Sequence, residues 1–357
     1  MQRLALAFAL ACACATGARA QDAPATSPPD APKPRLLDEV VVHGVQPGPG
    51  LWKVSKGDHV LWILGTLSPL PKGITWNSKH VEAVIATAQE VVTPPEAELK
   101  SNANFFANLA VLPSLIGLRN NPDGKRLKDV VPADLYARWA PLKAKYIGAS
   151  GKVEGWRPIF AALELYDDAI DHAGLTRKLV AQKVVESAAR HAGAKITRPR
   201  VAITVDSPRA AVKEFKSTAL DDTDCFRKTL DRIDTDLAAM TARANAWSTG
   251  DLDALRKLSY TDQMTICQAA ISQGPLTQPH GLDGISAHAH QAWLDAASKA
   301  LENNKVTFAT LPIERLLKPE PYLSRLRAMG YTVEEPASRT ATPAVGSAGA
   351  PRPETGG

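Results

Sequence analysis

The stretch from Leu51 to Pro71 constrains this chain most. Leu51-Trp52-Lys53-Val54 and Val60-Leu61-Trp62-Ile63-Leu64 are apolar or alternating, and Ser55-Lys56-Gly57-Asp58 separates them. Two such runs around a short loop containing glycine predict a β-hairpin. The second strand stops at Gly65-Thr66. The Ser68–Trp76 stretch that follows holds two prolines and a glycine, which cannot continue a ladder. Ser78 is placed to cap a helix with the apolar face Val81, Val84, Ile85 and Ala88. Val91-Val92-Thr93 reads as a short strand closed by Pro94-Pro95. Strand, loop, helix, strand in this order is the first half of an α/β sheet.

The middle of the chain reads as helical. Phe105 to Leu118 is an apolar stretch, and Pro132 to Ile147 places Leu135, Trp139 and Leu142 on one face. Further helices are expected over Arg157 to His172 and over Leu175 to Ala192, the latter stopping at Gly193. Arg200–Val205 is a candidate strand. Long helices follow over Ala210–Ala246, broken at Gly250, with Asp251 as N-cap of a short helix through Leu258. Ile285–Asn303 is a helix centred on Trp293. Val306–Thr310 and Tyr331–Val333 are strands that complete the sheet. The fold class is therefore α/β, with a mixed sheet built from the N- and C-terminal segments and a large helical middle.

The ends carry different signals. Arg3, the apolar run Leu4–Ala15 and Ala18-Arg19-Ala20 form a secretory signal over residues 1–20, with cleavage before Gln21. Lipidation at Cys12 or Cys14 is the weaker reading, because neither has Leu three residues upstream. Residues 21–46 are a Pro/Ala-rich linker and 337–357 a similar tail; between them lies one domain, 47–336. No later run is long and apolar enough for a transmembrane span. Cleavage removes Arg3 and Arg19 and takes the net charge from +5 to +3. That weak, dispersed charge gives no basis for nucleic-acid binding. Two cysteines, Cys225 and Cys267, remain in the mature chain. In an exported protein they read as one disulfide, with a pair of buried thiols as the alternative.

Several landmarks share an order and spacing with a known family. They are Leu51-Trp52-Lys53-Val54, Gly65-Thr66 with Leu70-Pro71, Trp156-Arg157-Pro158, Ala173-Gly174-Leu175, Gly250-Asp251-Leu252-Asp253-Ala254-Leu255 and Leu326-Arg327-Ala328-Met329-Gly330-Tyr331. Together they resemble the TraB/GumN family, which includes the Tiki-type metalloproteases. The resemblance runs from about Gly50 to Glu334. It implies a divalent-metal hydrolase site made of two Gly-x-x-His motifs, an acid on the strand after the first helix, and an Arg-Asn step on a late helix. Such a set would hold a metal with an open position for water, lower that water's pKa and steady an oxyanion.

This chain departs from the motif at each position. Ser68 stands at the first His, Pro94 at the acid and Arg315 at the second His, while Ala289-His290 takes the Arg-Asn step. Glu96 is the acid nearest to Pro94. A guanidinium cannot be deprotonated at working pH, so Arg315 cannot ligate a metal. The resulting expectation is an exported protein that has lost its catalytic site and its metal. It would bind or scaffold in the periplasm or cell envelope, with an envelope protein or a small anionic ligand as partner. Ser68, Glu96 and Arg315 are the candidate ligand-binding residues. The alternative is an active metal-dependent, peptidase-like hydrolase with substituted ligands.

Other readings are weaker. His288 and His290 are two apart and would lie on different helix faces, and no His-Glu-x-x-His occurs. Ser68 is outside a Gly-x-Ser-x-Gly elbow and precedes Pro69, so a serine nucleophile there lacks a backbone donor. Asp38-Glu39-Val40-Val41-Val42-His43-Gly44 resembles the energy-coupling box of TonB-dependent receptors; an ordinary edge strand or linker end is the alternative.

Overall fold

The computed structural model describes residues 45–101, 111–218, 220–258, 267, 284–317 and 321–339. The leader, most of the linker including Asp38–Gly44, the first part of the Phe105–Leu118 stretch and most of the C-terminal tail lie outside these residues.

The hairpin forms as expected. Strands β1 (Leu51–Lys56) and β2 (His59–Thr66) pair antiparallel from Leu51↔Leu64 to Lys56↔His59. Only Gly57-Asp58 remain in the turn, and Gly57 takes a left-handed φ of 61°. Two-residue hairpin turns need positive φ, which glycine adopts without a Cβ clash. After it come β3 (Leu70–Pro71), α1 (Lys79–Thr87), β4 (Glu90–Val92) and β5 (Glu96–Ser101). The helical middle holds α2 (Leu127–Val130), α3 (Ala133–Tyr146) and α4 (Pro158–His172). Next are β6 (Leu175–Thr176), α5 (Val180–His191), β7 (Lys195–Thr197) and β8 (Arg200–Val205). Helices α6 (Pro208–Ser217), α7 (Thr223–Thr249), α8 (Leu252–Lys257) and α9 (Ile285–Asn303) lead to β9 (Val306–Pro312). Helices α10 (Glu314–Leu317) and α11 (Pro321–Ala328) precede β10 (Thr332–Glu334). No described helix is long and apolar enough to cross a membrane.

The main sheet has the order β10-β1-β2-β9-β4-β7. Strands β2, β9, β4 and β7 run parallel, β1 pairs antiparallel with β2, and β10 pairs antiparallel with β1 at the edge. Helices cover both faces of its parallel part. Thr310 Oγ1 donates to Gln182 Oε1 on α5 at 2.9 Å, and Thr307 Oγ1 donates to the Ala300 carbonyl of α9 at 3.2 Å. Residues 307 and 310 are an odd number of positions apart, so they point to opposite faces. Sandwiched strands read as unbroken apolar runs. Leu61, Ile63, Leu64, Phe308, Ala309 and Leu311 are accordingly all fully buried. Each large side chain of this kind contributes roughly 1.5–3 kcal/mol through its burial.

One sequence expectation is corrected and another holds. The helix expected from Leu175 begins at Val180, because Leu175 and Thr176 pair with Pro71 and Leu70. Arg200–Val205 is a strand, but it leaves the main sheet and pairs with β5 in a separate parallel ribbon. Prolines cause the departure. Pro94, Pro95 and Pro199 have no N–H to donate, so the ladder of β4 with β7 ends at Thr93 and Thr197. Pairing resumes when the Glu96 N–H donates to the Pro199 carbonyl at 2.9 Å.

The helical half has its own core around Trp139, Tyr166, Phe226 and Leu230. Buried Arg157 donates to the Thr218, Phe215 and Lys216 carbonyls at the end of α6 (2.8, 2.5 and 3.1 Å) and lies over the Phe215 ring. Cys225 and Cys267 form a disulfide across 42 positions. Gly250 closes α7 with φ 80°, and the Asp251 carboxylate accepts from the Ala254 N–H at 2.9 Å as N-cap of α8. The backbone at both domain ends bonds to this corner: Gly48 N–H donates to the Ser248 carbonyl and Arg339 N–H to the Gly250 carbonyl.

Candidate functional site

Parallel strands gather their C-terminal ends at one edge of a sheet, and ligands of open α/β sheets bind in the crevice outside it. Four sequence positions reach that edge. Ser68 lies two residues past β2, Pro94 two past β4, and Arg315 three past β9 on α10. Because β9 is between β2 and β4, Arg315 leaves the sheet from between the other two. Helix α9 runs back toward the start of β9, so its N-terminal half, with His290, lies at the same edge. Glu96 begins the β5–β8 ribbon beside Arg200 and is exposed.

The strand ends themselves are tightly fixed. Ile313 N–H donates to the Thr66 carbonyl at 2.8 Å, and Thr66 Oγ1 donates to the Leu311 carbonyl at 3.2 Å. Gly65 has no room for a side chain: a Cβ there would stand 2.8 Å from Ile313 Cγ1. Fully buried Trp247 on α7 donates from Nε1 to the Gly65 carbonyl at 2.8 Å and meets Trp76 edge-on. A β2 end buried under a helix thus keeps the carbonyls of Gly65 and Thr66 satisfied. Trp247 escaped the sequence reading. Its only local signal is its place three residues before the Gly250-Asp251 step.

Each candidate side chain has a distinct setting. Ser68 Oγ donates to the Arg177 carbonyl at 3.4 Å, a contact made possible by the β3–β6 pairing. Around it, Lys72 pairs with Asp171 at 2.7 Å and Arg177 with Asp167 at 2.5 Å. Between those acids, burial raises the Asp168 carboxyl above its ordinary pKa, and the charges of Asp167 and Asp171 raise it further. The His290 ring packs against Tyr322 with centroids 4.1 Å apart, and Tyr322 packs on Trp293 at 5.4 Å. Arg315 is half-buried, and among the described residues it forms no ion pair with Glu96 or any other acid.

The donor set at this edge does not fit a divalent metal. It offers a hydroxyl, a proline, a guanidinium and one imidazole packed edge-on against tyrosine, where two imidazoles and a carboxylate are needed. Among the described residues no three His, Cys, Asp or Glu side chains cluster in a way that could hold an ion. A buried carboxylate does exist at the opposite end of the sheet. Burial alone would raise Glu90, but hydrogen bonds from Thr197, Lys195 and Asn304 hold it below its ordinary value. Those three partners make it a clasp between β4, β7 and the end of α9.

A family model describing the TraB/PrgY/gumN family matches residues 50–335. The chain belongs to the TraB/PrgY/gumN family. The match spans the whole main sheet, from β1 to β10. No curated protein and no solved structure matches this TraB/PrgY/gumN chain.

Proposed function

We propose that this chain is an exported TraB/PrgY/gumN protein that has lost the hydrolytic site and kept the cleft at the strand ends as a binding site. Its role is that of a non-catalytic binding or scaffold protein of the periplasm or cell envelope, and its ligand carries a small anionic group such as a carboxylate or phosphate. The observation that carries this reading is Arg315. A half-buried guanidinium that forms no ion pair among the described residues, fixed just past the central strand β9, suits an oxyanion through its two-pronged donor geometry. It also repels the divalent ion that the motif would hold elsewhere. Export is supported by Arg3, Leu4–Ala15 and Ala18-Arg19-Ala20, and the Cys225–Cys267 disulfide suits an oxidising compartment.

The test combines calorimetry and elemental analysis on the secreted chain. Inorganic phosphate and acetate serve as probes, with Arg315→Ala beside the unaltered protein. Loss of phosphate or acetate binding in the variant, with no chelation-sensitive hydrolysis of casein peptides by either protein, supports the proposal. Equal binding by the variant refutes the role of Arg315. Hydrolysis abolished by a chelator refutes the loss of catalysis. N-terminal sequencing of the exported chain should begin at Gln21, and an intact Met1 in the periplasmic fraction contradicts cleavage.

A further inference from the structure

A second site lies away from the strand ends, where the β5–β8 ribbon finishes against α6. Pro208, Ala211, Val212 and Phe215 recur at helical spacing along α6 and form one apolar stripe. Such a stripe ordinarily faces a core, yet none of the α6 residues is buried. The stripe borders a cavity of about 560 Å³. The facing wall is the short 3₁₀ turn Leu112–Leu115, and Leu112, Leu115 and Ile116 are 57%, 41% and 77% exposed. These are three of the six large exposed apolar side chains among the described residues. Apolar surface concentrated in this way marks an interaction site rather than scattered surface composition.

The lining identifies the ligand's chemistry. Along its length the cavity is bordered by Val111, Leu112, Leu115, Val205, Val212 and Phe215, whose side chains offer no hydrogen bonds. A peptide or sugar buried there would leave its own polar groups unpaired, each at a desolvation cost. A hydrocarbon chain incurs no such cost. Among the described residues the polar side chains on the lining are Lys100 and Ser101, both at the end of β5. The nearest acid to the Lys100 ammonium is Glu98 at 3.8 Å, with Lys100 largely in solvent. The cavity lies within the few-hundred to 1,000 Å³ range of small-molecule sites. It is concave, whereas insertion into a bilayer calls for a protruding apolar face. We infer that this cavity binds a single long-chain carboxylic acid or similar acyl amphiphile, with the hydrocarbon between α6 and the 112–115 turn and the anionic head at Lys100.

The experiment uses the full mature chain and a dansyl-labelled undecanoic acid, displaced by oleate. Saturable binding near one per chain is expected. Val212→Glu and Leu115→Glu place a charge among the apolar walls and should weaken binding by about tenfold or more. Both positions are partly exposed, and unchanged melting curves show that the variants fold. Lys100→Glu should weaken oleate binding and leave oleyl alcohol binding unaltered. Absence of saturable binding overturns the proposal, as does binding that Val212→Glu and Leu115→Glu both leave intact. Sedimentation with anionic vesicles without uptake of the free acid also overturns it, in favour of a bilayer-docking face.

Discussion

Asp222 joins the two halves of the helical core, and its titration should be visible in the stability of the whole protein. Its carboxyl is 3% exposed and accepts from the Ile159 N–H at 2.8 Å in the first turn of α4. Burial pushes its pKa from 3.8 to about 6, while the Ile159 hydrogen bond and the Arg157 charge oppose the rise. A carboxyl with a raised folded pKa binds its proton more tightly in the folded chain. Its contribution is therefore fully present below pH 4 or so and is lost as the pH rises toward about 6. At 1.36 kcal/mol per pKa unit, the gap corresponds to about 3 kcal/mol. Asp222→Asn removes the titration and keeps a carbonyl oxygen for Ile159. Urea unfolding at a series of pH values from about 4 to about 7 gives the stability of native chain and variant. The native chain should lose about 2 kcal/mol relative to the variant across that range, most of it by about pH 6. A difference that stays flat with pH refutes the assignment of a raised pKa to this carboxyl.

Other substitutions probe the remaining joints. Arg157→Lys keeps a charge but loses the fork that reaches three carbonyls, so it should cost about 2–4 kcal/mol in urea unfolding. Cys225→Ser with Cys267→Ser opens a loop spanning 42 positions, and the chain-entropy relation gives a loss of about 4 kcal/mol; thermal melting with and without reductant measures it. Gly65→Ala drives a methyl into Ile313 and should destabilise the chain by about 1–3 kcal/mol, read by the same melts.

The elements were legible where one local signal dominated. Two apolar runs around Gly57 were enough for the hairpin, and the apolar face around Trp293 gave the bounds of α9. The position of β9 between β2 and β4 was not legible, because pairing of strands some 240 residues apart leaves no mark on either sequence. Strand β5 and its pairing with β8 were missed for another reason. Glu96-Ala97-Glu98-Leu99-Lys100 alternates in polarity, but Glu, Ala and Lys are poor strand formers, and the prolines before it read only as a stop. For the candidate site, the residue types at 68, 94, 290 and 315 were readable, and so was the chemistry they exclude. Their gathering at one edge needed the parallel order of β2, β9 and β4. Trp247 and the apolar cavity beside α6 depend on contacts between distant segments, so the sequence could not supply them.

Loss of the catalytic metal from the edge formed by the ends of β2, β9 and β4 is what the proposed function requires. Elemental analysis of the secreted chain, after dialysis against zinc, manganese and cobalt and removal of loose ions, tests it most directly. No stoichiometric metal is expected, and the same melting temperature with and without chelator. About one tightly held ion per chain, with a melting temperature that falls on chelation, contradicts it.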